Sequence, residues 1–396
     1  MKSYIKFLLK KYLPFYVVLF AVSVSIFFIY LTAENNVYYR FEGSDYFITT
    51  PYSGLLIFII PLAMVSIFAP IFANTYRYSI KSADVFYQTG KGSKQIRIVN
   101  NLTLLISILV AYTAAFLISI LVMLLKQLPN AGKTIIDDYG NETRYILFNF
   151  GYYLIAYFLA IIVCSLNYFI SYFLITRANN PVNSIICLVL GHMLLSVLIM
   201  TPIWYSSIVI EMINSNMRFY SAEVLLLTRV PSIISPIAWI ANIFEPLIIS
   251  GQPLQIILSS ENVFSFVMSF VCLVIFLSAA GFSIYMFLKE KESSGELAGK
   301  PEGRDKLQMI IFHVGAGTIA WWYGMANGLI SNLLIINVLT TISSFIMFCA
   351  LYYVFYGLIR RNFRLKGKDF AFLVPVASVY IISVIIYNVV FTVSNA

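Results

Sequence analysis

Apolar residues in this chain come in long runs with few polar interruptions. They follow neither the two-residue alternation of strands nor the one-sided stripe of a soluble amphipathic helix. Runs at 13–31, 53–75, 102–125, 148–175, 183–208, 263–288, 309–329, 333–358 and 370–393 contain no Asp, Glu, Lys or Arg. Each offers about the 20 residues that a helix needs to cross a hydrocarbon core of roughly 30 Å. A backbone in lipid must satisfy its own hydrogen bonds, so runs of this kind predict helices and not a barrel. The expected fold is all-α, a polytopic transmembrane bundle of about nine spans, with eight as the alternative.

Composition strengthens this picture: 60% of residues are hydrophobic and 11% charged, which does not describe a water-soluble globule. Charge then orients the chain, because Lys and Arg are retained on the cytoplasmic side. With the N-terminus inside, twenty of the 26 basic residues fall on the inner face. The outer face receives Arg40, Lys126, Lys133, Arg144, Arg218 and Arg229. The apolar stretch 231–250 tempts a further span, but crossing there would move the basic residues from Lys289 to Lys306 outside. Its Pro231, Pro236, Trp239, Glu245 and Pro246 read instead as an outer re-entrant or interfacial hairpin between spans five and six. The same count makes 309–358 cross twice.

The organisation that follows is a basic element at 1–12, a six-span core at 13–288, a cytoplasmic linker at 289–308 and a three-span region at 309–396. Two readings fit 1–12: an amphipathic helix along the inner leaflet, with Lys2, Lys6 and Lys10 one turn apart, or flanking charge alone. The first apolar run is too long for a secretory signal and is expected to be retained. Cys164, Cys187, Cys272 and Cys349 all fall in apolar runs without metal-ligand spacing and read as small core residues.

Several chemistries lack their residues. Ion-coupled transport and voltage sensing draw on ionisable groups inside the membrane, and the spans hold only the isolated His192 and His313. Neither an HExxH metalloprotease motif nor a TVGYG filter occurs. The nearest approach to a phosphate-binding loop, Gly295 to Lys300, is one residue short and is followed by Pro301 where a hydroxyl residue is needed. No catalytic residue, metal site, cofactor or nucleic-acid partner is expected, and any energy must come from a partner.

The inner loop between spans two and three mixes charge with aromatics. Ser82 and Asp84 suit a helix start, Phe86 and Tyr87 offer an apolar knob, and Gly90 and Gly92 turn the chain. Lys91, Lys94 and Arg97 then lead a basic helix into span three. A solvated loop that holds topology and a socket filler for a soluble partner both fit this composition.

This Asp, aromatic pair, turn and basic helix resembles the coupling region of bacterial ABC transporter permeases of the type-2 exporter family. Lys289 to Pro301, with Lys291, Glu296 and Gly299, resembles the basic, Ser-Glu, Ala-Gly stretch after their sixth span. The Arg360-Arg361-Asn362-Phe363-Arg364 cluster is a third point of likeness. Two departures stand out: Gln88-Thr89-Gly90-Lys91 replaces a Leu-Pro-basic pattern, and Gly295 splits Ser294 from Glu296. The resemblance implies a multi-pass cell-membrane permease that pairs with itself or a paralogue and carries no ATPase site of its own. A separate ABC ATPase subunit would bind the ATP and dock on Asp84, Phe86, Tyr87, Gly90, Lys91, Lys94 and Arg97. Charge-free spans suit an apolar or amphipathic cargo. The alternative is a non-transporting sensor or immunity module whose inner loops bind a cytoplasmic partner, and a further rival is an ATP-independent intramembrane enzyme or scramblase.

Single cysteines introduced across 231–250 are expected to react with a membrane-impermeant maleimide added from outside intact cells; labelling only from the cytoplasmic side would overturn the nine-span topology.

Overall fold

A computed structural model describes residues 2–33, 39–40, 47–48, 54–78, 93–128, 134–136, 142–144, 150–176, 181–192, 195, 260–289, 334–360 and 364. In chain order they form α1 (Lys2–Ala33), a hairpin of β1 (Tyr39–Arg40) and β2 (Phe47–Ile48), and α2 (Gly54–Asn74), which tightens into a 3-10 turn at Thr75–Tyr78. Helix α3 (Ser93–Gln127), a hairpin of β3 (Thr134–Ile136) and β4 (Glu142–Arg144), and α4 (Phe150–Ile175) follow. The remaining elements are α5 (Pro181–His192), α6 (Ser260–Lys289) and α7 (Leu334–Arg360).

Most helix ends fall within three residues of the apolar-run boundaries, because lipid-length runs end where polar residues begin. Two ends do not. Helix α3 starts at Ser93, well ahead of Leu102, because Lys94, Gln95, Arg97 and the Asn100–Asn101 pair are all helical before the apolar run opens. Helix α1 starts at Lys2, so the basic 1–12 stretch and the first apolar run are one helix. The continuity has a packing reason: Leu8 and Tyr12 are buried in the core, which ties the basic turns into the bundle. The two hairpins qualify the all-α expectation. They are antiparallel, Tyr39 opposite Ile48 and Thr134 opposite Arg144, and lie between helices, where β-branched residues such as Thr134, Ile135, Ile136 and Thr143 favour extended backbone. Runs 309–329 and 370–393 and the 231–250 element lie outside the described residues, as does the part of run 183–208 after 195.

Among the described residues, three helices are long and apolar enough to cross a membrane, Ser3–Phe28, Lys94–Val122 and Tyr157–Ile175, and they point to a membrane protein. The exposed surface has the matching character. Along α3, Leu102, Ile106, Val110, Leu117, Leu121 and Leu125 form a continuous outward stripe, while Leu104, Ile108, Tyr112, Ala115 and Phe116 are buried on the other side. Both faces are greasy. Water would penalise such a stripe heavily, whereas lipid does not. Hydroxyls within the helices bond back to their own backbone: Ser107 donates to Thr103 O, Thr113 to Leu109 O, Ser119 to Ala115 O and Ser283 to Ala279 O, all at 2.7–2.8 Å. That is how a polar side chain is tolerated where no water is at hand.

The chain divides into two compact units. The first comprises Met1–Tyr76, Asp84–Ser171 and Ile237–Glu292, and is built on α3, which packs along α1 and α2. Its aromatic layer joins α1, α3 and α4: Phe27 meets Tyr112 edge-on at 5.8 Å, and Tyr157 stacks on Phe116 at 4.6 Å. Tyr157 and Thr113 also share a hydroxyl hydrogen bond of 2.7 Å. The second unit comprises Arg77–Ala83, Tyr172–Pro236 and Ser293–Ala396. Within it α5 lies close against the last turn of α4: a Cβ on Gly191 would come within 2.5 Å of Leu174. Cys187, Leu188, Leu190 and His192 are buried on the same helix.

The Gly191 contact predicts that Gly191→Leu lowers stability by about 1–3 kcal/mol through overpacking, with Gly191→Ala costing less because the Leu174 side chain can rotate away. Thermal unfolding of the purified chain in detergent reads both.

Candidate functional site

At one end of the first unit the start of α1, the end of α2, the start of α3, the late turns of α4 and the end of α6 come together. The residues that join them are polar, buried and bonded to one another.

Asn101 is the centre. Its Nδ2 donates to Arg97 O at 3.0 Å and to Asn74 Oδ1 at 3.4 Å, while its Oδ1 accepts from Asn74 Nδ2 at 3.1 Å and from Tyr168 Oη at 3.0 Å. An Asn amide has two donor and two acceptor positions, and here all four are used. The Arg97 carbonyl can only accept, which fixes which end of the amide is nitrogen. Asn74 spends its second N–H on Pro70 O at 2.6 Å, one turn back on α2. Asn101, Asn74 and Tyr168 are all 0% exposed, so α2, α3 and α4 are tied through one dry amide cluster.

Three further bonds widen the junction. Tyr4 Oη on α1 donates to Asn100 Oδ1 at 2.8 Å, and Tyr12 Oη donates to Phe72 O on α2 at 3.4 Å. Arg97 joins α6: one terminal nitrogen of its guanidinium donates to Phe287 O at 2.8 Å, and the guanidinium lies 5.6 Å from the centre of the Phe287 ring. Phe287 also packs on Phe169 of α4 at 5.3 Å. Its carbonyl belongs to the last turn of α6, where four carbonyls have no partner in their own helix and the helix dipole is negative. A guanidinium is suited to that position on both counts.

Eight residues before Asn74 on α2, Ser66 Oγ accepts from Asn167 Nδ2 at 3.2 Å and in turn donates to Ala63 O at 2.8 Å. Asn167 Oδ1 has no hydrogen-bond partner among the described residues. The α2–α4 contact is therefore less fully satisfied here than at Asn101.

Outside the buried junction the ends of the same helices carry positive charge. Lys6, Lys10 and Lys11 on α1, Lys94 on α3 and Lys289 on α6 are exposed. Lys289 Nζ donates to Tyr285 Oη at 2.8 Å, and Lys11 lies 5.2 Å from the Tyr12 ring centre.

Of the sequence-predicted docking residues, the described structure holds two, and it separates them. Lys94 is exposed, as a contact for a partner requires. Arg97 is 0% exposed and faces the interior, because its guanidinium caps α6. Asp84, Phe86, Tyr87, Gly90 and Lys91 lie outside the described residues, as do Lys291, Glu296 and Gly299 and the outer-hairpin residues Pro231, Pro236, Trp239, Glu245 and Pro246. Sequence reasoning passed over Asn74, Asn100, Asn101, Tyr168 and Phe287. The available signal was an amide pair at the mouth of an apolar run, with amides at the ends or inside of two neighbouring runs. Among the described residues no group of three or more His, Cys, Asp or Glu could hold a metal ion. Cys164 and Cys349 are free thiols, and Cys164 and Cys187 are buried.

No family model matches this chain, and no curated protein or solved structure does either.

The amide cluster predicts a measurable coupling. Asn101→Leu should destabilise the chain by about 1–3 kcal/mol by stranding the Asn74 and Tyr168 groups. In a double-mutant cycle with Tyr168→Phe, the Asn101–Tyr168 coupling should be about 1 kcal/mol. Additive effects in detergent unfolding would contradict the cluster.

Proposed function

We propose that this chain is the multi-pass membrane permease subunit of an ATP-driven exporter, working with a separate ABC ATPase and moving an apolar or amphipathic cargo across or out of the bilayer. In this reading the N-terminus is cytoplasmic, about nine spans cross the cell membrane, and segment 79–92 receives the ATPase through Phe86 and Tyr87. Closure of the ATPase on ATP pushes that segment, and the helices attached to it rock.

The observation that carries the reading is the convergence of helix ends. Segment 79–92 is flanked by α2 and α3, and α2 and α3 are tied to each other by the Asn74–Asn101 amide pair. The end of α6, which leads into the basic 289–308 stretch, is tied to α3 by Arg97. The helix ends that the charge count assigns to the inner side thus share one end of the unit, with exposed Lys6, Lys10, Lys11, Lys94 and Lys289 around it. A push on a segment so anchored is delivered to α2, α3, α4 and α6 together. Helices whose outward faces are apolar throughout can tilt in lipid without exposing charge. The lack of Asp, Glu, Lys and Arg in the apolar runs further favours an external energy source over a coupled ion.

The test is co-expression with an ABC ATPase encoded beside this chain, followed by affinity purification from detergent extracts. The wild-type chain should retain the ATPase in stoichiometric amount, and Phe86→Ala combined with Tyr87→Ala should reduce the recovered ATPase at least about tenfold, as loss of an aromatic hot spot does. A wild-type chain that retains no ATPase, or a double variant that retains it fully, would refute the assignment. Binding of a different cytoplasmic protein in its place would support the sensor or immunity reading.

A further inference from the structure

We propose that Arg97 is an internal strut and not an ATPase contact: by capping the last turn of α6 from near the start of α3, it makes those two helix ends move as one. This deepens the permease reading and rests on it for the coupling role.

The geometry has three parts. Arg97 is 0% exposed, so no soluble partner reaches its side chain in this conformation. Its guanidinium holds the Phe287 carbonyl at 2.8 Å and lies against the Phe287 ring, so one residue supplies both the acceptor and the aromatic face. Its own carbonyl accepts from Asn101 Nδ2 at 3.0 Å, so the backbone from which the guanidinium projects is anchored to the amide cluster. The side chain is therefore held at both ends. Phe287 lies two positions before the end of α6 at Lys289, and Arg97 stands five residues after 92. Each cytoplasmic segment thus begins or ends within about two helical turns of the same contact.

Arginine suits the position in a way that lysine does not. Its planar fork can bond the carbonyl while stacking on a ring, and it stays charged when desolvated. A lysine would keep the charge without the fixed fork. A hydrophobic replacement would fill the space and leave the Phe287 carbonyl uncapped. The strut thus predicts a graded series, R97K and then R97M.

The test uses the full chain in lipid nanodiscs, with Cys164, Cys187, Cys272 and Cys349 changed to Ala and spin labels on cysteines replacing the exposed Lys94 and Lys289. The distance distribution between the labels should be narrow with Arg97 present, broader in R97K and broadest, at least about twofold wider, in R97M. An unchanged distribution in R97M overturns the strut. R97K carries the comparison where R97M fails to fold. In parallel, the chain with native lysines is co-purified with the adjacent ABC ATPase and ATP turnover is measured. R97M should retain the ATPase, since Phe86 and Tyr87 are intact, yet stimulate its turnover at least about tenfold less than wild type, the factor expected for one charge-assisted hydrogen bond. If R97M stimulates turnover as wild type does, the strut inference fails and the permease reading stands. If the wild-type chain retains no ATPase, the permease reading fails and the coupling role with it, while the label distances still decide whether Arg97 holds α3 to α6.

Discussion

A polar group in an apolar bundle must be bonded inside the bundle, and the amide of Asn101 meets that demand on every side. A site at 0% exposure is closed to bulk water, so an unmet donor or acceptor there would cost about 1–3 kcal/mol. That penalty gives the cluster its geometry. Between apolar helices in lipid there is no hydrophobic drive to choose one register over another, because lipid chains are as apolar as leucine. The Asn74–Asn101–Tyr168 bonds supply the missing choice. A slip of α2 or α4 by one turn would strand several donors at once, whereas a similar slip between two faces of Leu and Ile would change little.

Arg97 poses the opposite problem, since burying a charge costs several kcal/mol before any interaction is counted. Three terms offset it. A charge-assisted hydrogen bond to a carbonyl is worth about 1.5–3 kcal/mol, a cation at a helix C-terminus up to about 2, and a desolvated cation–π contact about 2. These are of the same order as the cost, and Phe287 provides acceptor, dipole end and ring together.

Much of the architecture was legible because the two signals that specify it are long and redundant. Apolar runs of lipid length end at polar residues, so α2, α4, α6 and α7 could be drawn to within a few residues. The convergence of α1, α2, α3, α4 and α6 at one end is consistent with the alternation that lysine and arginine imply. What escaped notice is carried by single residues whose meaning depends on a neighbour far away in sequence. Asn101 in isolation is a poor helix former at the edge of a run; opposite Asn74 and Tyr168 it is the centre of the unit. Arg97 in isolation reads as one more basic residue beside Lys91 and Lys94, and nothing local distinguishes it. Its burial follows from Phe287, 190 positions away, which composition does not reveal. The hairpins were missed for the reverse reason: two- and three-residue strands are too short to show alternation.

These contrasts bear on how such a unit could move. Among the described residues of the unit, side-chain hydrogen bonds cluster at the end where Tyr4, Asn74, Asn101, Arg97 and Phe287 meet. Further along α2, eight residues before Asn74, Ser66 is tied to Asn167 through one donor, and beyond that the described contacts include the rings of Phe27, Tyr112 and Tyr157 with one hydroxyl bond, Thr113 to Tyr157. Rings slide past one another at small cost, since their preferred geometries are several and shallow. Saturated amides do not, because any displacement breaks a bond before making another. The polar end of the unit is therefore held more rigidly than its aromatic layer, a division set by where the sequence places amides and where it places rings.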